Sequence, residues 1–143
     1  MTNTPRLDKQ DFESLSEFRY QLRRFLRFSE DIAHSEGLTP LQYQLLLHIK
    51  GYPNREWATV GELAERLQAQ HHGVVALVSR CEKAGLVVRS PGTADRRQVQ
   101  VSLTASGQQC VARLAELHHA ELNSLSSVFK VTNISAFNDR SEA

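Results

Sequence analysis

Apolar residues recur at three- and four-residue steps from Phe12 to Glu36, through Leu15, Phe18, Leu22, Phe25 and Ile32, which predicts one long amphipathic helix. Gly37 ends it. Thr39-Pro40-Leu41-Gln42 then has the marks of a helix start: a threonine to accept an amide three residues on, a proline whose missing N–H is no loss in the first turn, and a glutamine to reach back. Leu45, Leu46 and Ile49 give this second helix its apolar side, and Gly51-Tyr52-Pro53 stops it. The same capping spacing returns at Thr59-Val60-Gly61-Glu62, with Leu63, Ala64 and Leu67 repeating at helical period behind it. Gln68-Ala69-Gln70 makes a short polar break. Beyond it Val74, Leu77, Val78 and Cys81 form one apolar stripe on a fourth helix, whose opposite face is left for a partner.

The period then changes. Gly85 supplies the left-handed residue of a helix C-cap, Leu86-Val87-Val88 is β-rich, and Pro91-Gly92 opens a turn. Val99, Val101 and Leu103 alternate with Gln98, Gln100 and Ser102, as in a half-buried strand. Together these runs predict a two-stranded hairpin with the basic tip Gly92-Thr93-Ala94-Asp95-Arg96-Arg97. After Thr104 a last helical pattern carries Val111, Leu114, His118, Leu122 and Leu125 on one side, with Cys110 and Leu117 nearby. Both long terminal helices hold more apolar surface than the middle of the chain needs, which predicts a partner surface.

Two short helices, a strand, a basic tip, a second strand and a long helix make a winged helix-turn-helix. The expected fold class is therefore mainly α with a small β-hairpin wing (α+β). A single domain, 1–143, would hold a dimerisation helix at 12–36, a DNA-binding core at 39–104, a second dimerisation helix at 105–129 and a polar tail at 130–143. In such a fold one helix enters a DNA major groove while the hairpin reaches the flanking backbone or minor groove.

The residues also carry a resemblance. The series Gly61-Glu-Leu-Ala64, Glu82-Lys-Ala-Gly85-Leu86-Val87, Asp95-Arg-Arg97 and Val101-Ser-Leu-Thr104-Ala-Ser-Gly107 resembles the MarR family of bacterial transcriptional regulators in both order and gaps, from about Phe12 to Phe129. The polar stretch Lys130 to Ala143 departs from the further apolar helix usual there. The resemblance implies a homodimer with interlocked first and last helices. It also implies a pseudo-palindromic operator in double-stranded DNA, and repression released by a small aromatic or phenolic ligand.

Candidate contacts follow. Gln70, His71, His72 and Gly73 open the fourth helix, where side chains and amides face base edges or phosphates. Val75 and Ala76 stand where many relatives carry polar or basic side chains, which leaves methyl contact with thymine. Ser79 and Arg80 lie on the same side; Arg80 either reaches a phosphate or braces the fold through a carboxylate. Arg89 is a phosphate contact or a solvated charge. Asp95 and Arg97 match the family's Asp-x-Arg, which implies that the aspartate orients an arginine while Arg96 or Arg97 enters a minor groove. Arg19, Arg23 and Arg27 read as a solvated face, with Arg27 pairing to Glu30 three residues on. For the ligand, the candidates are Phe28, His34, Tyr43 and His48, in a crevice between the dimer helices and the winged core.

Composition bounds the alternatives. At 143 residues the chain can bury a core without disulfides. Two cysteines and no signal-like apolar N-terminus point to the cytoplasm, and no apolar run reaches the ~18 residues of a membrane span. A net charge of +1 argues against a nonspecific nucleic-acid coat, so DNA binding must rest on placement. The rival is a metal- or redox-responsive regulator of the same fold. The pairs His71-His72 and His118-His119 are adjacent and diverge on a helix, so no metal site is expected, nor any cofactor. Cys81 lies on an apolar face, which predicts burial and a raised pKa, whereas Cys110 is expected to be more open. The first helix has no cysteine, where the peroxide-sensing branch of the family carries its thiol. No Gly-rich phosphate loop, Gly-x-Ser-x-Gly elbow or paired-carboxylate motif occurs, which argues against an enzyme.

Overall fold

The structure, a computed structural model, describes residues 6–124, apart from the side chains at positions 120, 121, 122 and 124. Five helices, α1 (Lys9–Ser35), α2 (Pro40–Lys50), α3 (Val60–Leu67), α4 (His71–Lys83) and α5 (Ala105–Ser124), and three short strands, β1 (Trp57–Thr59), β2 (Val87–Pro91) and β3 (Val99–Leu103), follow in the order α1-α2-β1-α3-α4-β2-β3-α5. The expected extension of the last helix to Phe129, with Leu125, and the polar tail lie outside the described residues. No described helix is both long and apolar enough to cross a membrane.

Both capping boxes close. Thr39 Oγ1 accepts the Gln42 amide at 3.2 Å and Gln42 Oε1 accepts the Thr39 amide at 2.9 Å. Thr59 and Glu62 repeat the exchange at 3.2 and 2.9 Å. Each box satisfies two amides that a helix start otherwise leaves unpaired. At the end of α4, Gly85 takes φ +78°, with its N–H on Glu82 O and the Leu86 N–H on Cys81 O, both at 2.9 Å. This pair of hydrogen bonds to the last carbonyls needs a left-handed residue, which glycine supplies without a Cβ clash. It turns the chain directly into β2.

The wing has three strands, one more than expected. β1 lies along β3, giving the antiparallel order β1-β3-β2, with Val101 opposite Ala58 on one side and Arg89 on the other. Three residues have no room to show alternation, so Trp57-Ala58-Thr59 is a strand only because β3 offers it an edge.

By packing, the described chain falls into two units. In the larger, Glu30–Leu117, the fully buried side chains come from every layer: Leu45, Leu46 and Ile49 of α2, Leu63 of α3, Val74, Val78 and Cys81 of α4, Val87 and Val101 of the sheet, and Val111 and Leu114 of α5. The start of α5 is bound to the α4–β2 turn at several points. Thr104 N–H donates to Leu86 O at 3.0 Å, Thr104 Oγ1 donates to Gly85 O at 2.6 Å, and the same hydroxyl accepts the Gly107 amide at 3.0 Å. Gly107 is buried against Leu86, and a Cβ there would stand 2.1 Å from the Leu86 carbonyl oxygen. The Thr-x-x-Gly spacing thus has a physical cause: the threonine caps and the glycine lets two backbones meet.

The smaller unit joins α1 up to Ser29 with α5 from His118. Here His118 is buried, its Nε2 2.7 Å from Ser29 Oγ and its ring edge-on to Phe25 and Phe28 with centroids 6.1 Å away in each case. Elsewhere on α1, Phe12, Leu15, Tyr20 and Leu26 are exposed. Arg27 and Glu30 do not pair as expected. On α1 it is Arg24 that finds a partner, lying 5.7 Å from the Tyr20 ring centroid.

A polar cluster beside α3 is absent from the pattern of the sequence. Arg55 lies 3.9 Å from the ring centroid of Trp57 and 4.2 Å from that of Tyr52, and it pairs with Glu62. Burial raises the Glu62 pKa, but hydrogen bonds from the Tyr52 hydroxyl, the Thr59 amide and Arg55 outweigh it and hold the carboxyl at about 2. A carboxyl depressed on folding stabilises above its unfolded value and loses that contribution as pH falls through the folded one. Glu62→Gln should therefore cost about 1–2 kcal/mol at pH 7, allowing for screening of a partly exposed side chain. Thermal melts of both proteins should converge as the pH drops from about 4.5 toward 2; a gap independent of pH would rule out the charge as the cause.

Candidate nucleic-acid interface

The interface candidates all fall in the larger unit, on α4 and the wing. Gln70 stands at the N-cap of α4 without a side-chain cap bond, so the first-turn amides face outward beside the exposed His71, His72 and Gly73. Such a turn presents N–H groups and a positive dipole end to an anion. Along the helix Val74, Leu77, Val78 and Cys81 are buried as the stripe required, which turns Ala76, Ser79 and Arg80 to the surface and leaves Val75 half-buried.

Arg80 is exposed, and among the described residues it has no carboxylate partner, so the brace considered for it is not formed. Arg89 is the one that braces. Its Nη2 lies 2.6 Å from Ser79 Oγ and 3.4 Å from Glu82 Oε1, while its amide donates to Glu82 Oε2 at 3.0 Å. A solvated Arg89 was one expectation, and the structure corrects it. Its partners lie seven and ten residues back, beyond the Gly85 turn, a separation that sequence spacing does not reveal. Glu82 was missed for the same reason.

At the tip of the wing, Gly92 N–H donates to Gln98 O at 2.9 Å and Gln98 N–H to Asp95 O at 3.1 Å. Gly92 is buried in this turn, where a Cβ would fall 2.4 Å from the Asp95 carbonyl oxygen. Asp95 Oδ1 accepts the Arg97 amide at 3.0 Å and lies 3.4 Å from Arg97 Nε. The Arg97 side chain is 94% exposed, so the ion pair itself contributes little. Asp95 acts chiefly on the backbone, as a turn that fixes where the arginine leaves the chain. Arg96, beside it, is exposed as well.

Helix and wing are brought together around one concavity of about 350 Å³. Val60, Val75 and Val99 line it, with His71, Arg89 and Arg97 among the polar residues at its walls. This arrangement sets positive charge and hydrogen-bond donors beside three valines, which suits a phosphodiester backbone with base methyls beside it.

The ligand and redox candidates differ in exposure. Tyr43 is buried, and burial raises its hydroxyl pKa. His48 is half-buried, and burial first, then the charge of Arg66, lowers its pKa. His34 is exposed in the last turn of α1, and Phe28 packs on His118 within the smaller unit. Both cysteines are buried. Burial pushes the Cys81 thiol up to about 11 and raises that of Cys110, which is therefore less open than its position suggested. Among the described residues no group of three or more His, Cys, Asp or Glu gathers to hold a metal ion.

Residues 36–98 match the family model described as MarR family. The "Putative transcriptional regulatory protein for hcr operon" of Thauera aromatica is 31% identical over 98 residues, covering 68% of this chain and 57% of that one. The chain thus spans little more than half the length of this curated relative. AbsC, a MarR family transcriptional regulator from Streptomyces coelicolor, has a similar fold, with a TM-score of 0.72 at 20% identity over 96% of this chain and 99% of its own. So does a mutant of MepR from S. aureus bound to an oligodeoxyribonucleotide, with a TM-score of 0.64 at 19% identity over 87% of each chain. NadR in complex with 4-hydroxyphenylacetate gives a TM-score of 0.68 at 19% identity, covering 97% of this chain and 94% of that one.

Proposed function

This chain carries a MarR-family domain, and from that premise we propose that it is a DNA-binding transcriptional regulator, acting as a homodimeric repressor that a small ligand releases. The observation that carries the reading is the pairing of the α4 first turn with the wing tip around one concavity, each presenting exposed cations or donors. A solved MepR structure with bound oligodeoxyribonucleotide supports it. Net charge is only +1, so affinity must come from this local placement and from two copies acting on one duplex.

The exposed Phe12, Leu15, Tyr20 and Leu26 of α1 support self-association, since a helix with this much apolar surface gains from being covered. In a two-fold dimer the recognition helices α4 would enter successive major grooves of a pseudo-palindrome and block polymerase. NadR with 4-hydroxyphenylacetate supports an aromatic acid as the ligand class. Of the side chains considered for it, Tyr43 and His48 are the two most withdrawn from water in the larger unit. The redox alternative gains no support from two buried thiols with raised pKa.

Selection from random-sequence duplexes should return a pseudo-palindrome with half-sites about one turn (~34 Å, ~10 bp) apart. Light scattering should give twice the 16.1 kDa of one chain. A folded monomer, or no enrichment of any duplex, would sink the proposal.

A further inference from the structure

Arg89 holds a position that a DNA reader would use for a phosphate, at a wall of the concavity between α4 and the wing. Its guanidinium is nevertheless engaged by the Ser79 hydroxyl and the Glu82 carboxylate, and Glu82 also accepts the Arg89 amide. One acidic side chain on the recognition helix therefore holds both the backbone of β2 and the charge that β2 carries. Nearby, Arg80 and Arg97 have a different standing: Arg80 has no carboxylate partner among the described residues, and Arg97 is almost wholly exposed.

We propose that Glu82 is a specificity-determining residue that acts through Arg89, withholding its guanidinium from phosphates on arbitrary DNA and fixing the wing at the angle a matched site requires. The inference rests on the DNA-binding function proposed above. Its physical basis is the difference between the two kinds of contact. A cation free to swing meets a phosphate on every duplex, whereas base contacts alone distinguish one duplex from another. A regulator gains discrimination by keeping the first kind few. Ser79 completes the arrangement from the helix side, because its hydroxyl also donates to Val75 O at 3.1 Å and is thereby aimed at Arg89.

The test compares the wild type with Glu82→Gln, Glu82→Gln/Arg89→Ala and the control Glu65→Gln, which removes an exposed acid from α3. Each is titrated against the duplex that the wild type selects and against a scrambled duplex, over a range of salt. Glu82→Gln should bind the scrambled duplex about 3-fold or more tighter, with a salt slope steeper by about one counterion. Affinity for the selected duplex should rise less, so the ratio between the two falls. Adding Arg89→Ala should return scrambled binding to the wild-type level.

Equal gains on both duplexes, matched by Glu65→Gln, would reduce Glu82 to one negative charge among others and overturn the proposal. So would equal losses accompanied by a lower melting temperature, which would make Glu82 a brace only. If the wild type selects no duplex at all, the DNA-binding reading itself falls, an outcome distinct from a selected duplex to which Glu82 is indifferent.

Discussion

Gly107→Ala should cost roughly 3 kcal/mol or more, at the upper end for an overpacked buried site. The added Cβ would sit 2.1 Å from the Leu86 carbonyl oxygen and 3.1 Å from its carbon. Backbone atoms cannot rotate aside as a side chain can. The carbonyl is also held where it is, since it accepts the Thr104 amide at 3.0 Å and follows directly on the Gly85 turn. Relief requires α5 to lift from that turn, which breaks the Thr104 bonds and exposes Val111 and Leu114. Calorimetry should record a melting temperature lower by about 10 °C or more. Gly61→Ala is the control: nothing lies within 4 Å of a Cβ at that helical position, so its melting temperature should stay level or rise slightly. Equal behaviour of the two variants would refute the close approach at Gly107.

The second large effect concerns binding. Arg97→Ala should weaken binding to the selected duplex by about 10-fold or more, within the ~1–3 kcal/mol of a good DNA contact, with fold and oligomeric state unchanged. The side chain is 94% exposed at a tip that supports no core, so its loss removes almost nothing from stability. Its charge gains most in a narrow minor groove, where the phosphates of two strands lie close together. Asp95→Ala should give a smaller loss, because it removes the turn that sets where Arg97 departs and leaves the charge in place. Gel shifts, read beside melting curves, separate the two roles. Full affinity in a folded Arg96→Ala/Arg97→Ala protein would show that the wing does not take part.

Most of the architecture could be read from local signals. Thr39 with Gln42 and Thr59 with Glu62 mark helix starts because each motif is complete within four residues, and both form the reciprocal bonds that the spacing requires. Gly85 is legible for the same reason. What escaped depends on where the chain folds back on itself, outside the regular spacing of one helix or strand. β1 exists because of β3, the Arg55 cluster needs Tyr52, Trp57 and Glu62 to converge from a loop, a strand and a helix, and Arg89 meets Ser79 and Glu82 only after a reversal of the chain. Arg27 and Glu30 are the opposite failure. Their spacing permits a pair on an exposed helix, but such a pair is worth only a few tenths of a kcal/mol, too little to hold two long side chains together.

The three-stranded sheet bears on whether copies of this protein can join strand to strand. Its two outer strands present unpaired backbone groups, which in many proteins template strand-by-strand aggregation. Here one outer strand is only three residues long, and the other ends on Pro91, which has no N–H to donate, after an arginine tied back to the helix. Neither offers a neighbouring molecule a run of donors and acceptors long enough to extend the sheet. The wing can therefore stand out from the body, with a bare tip, without acting as a seed for fibres.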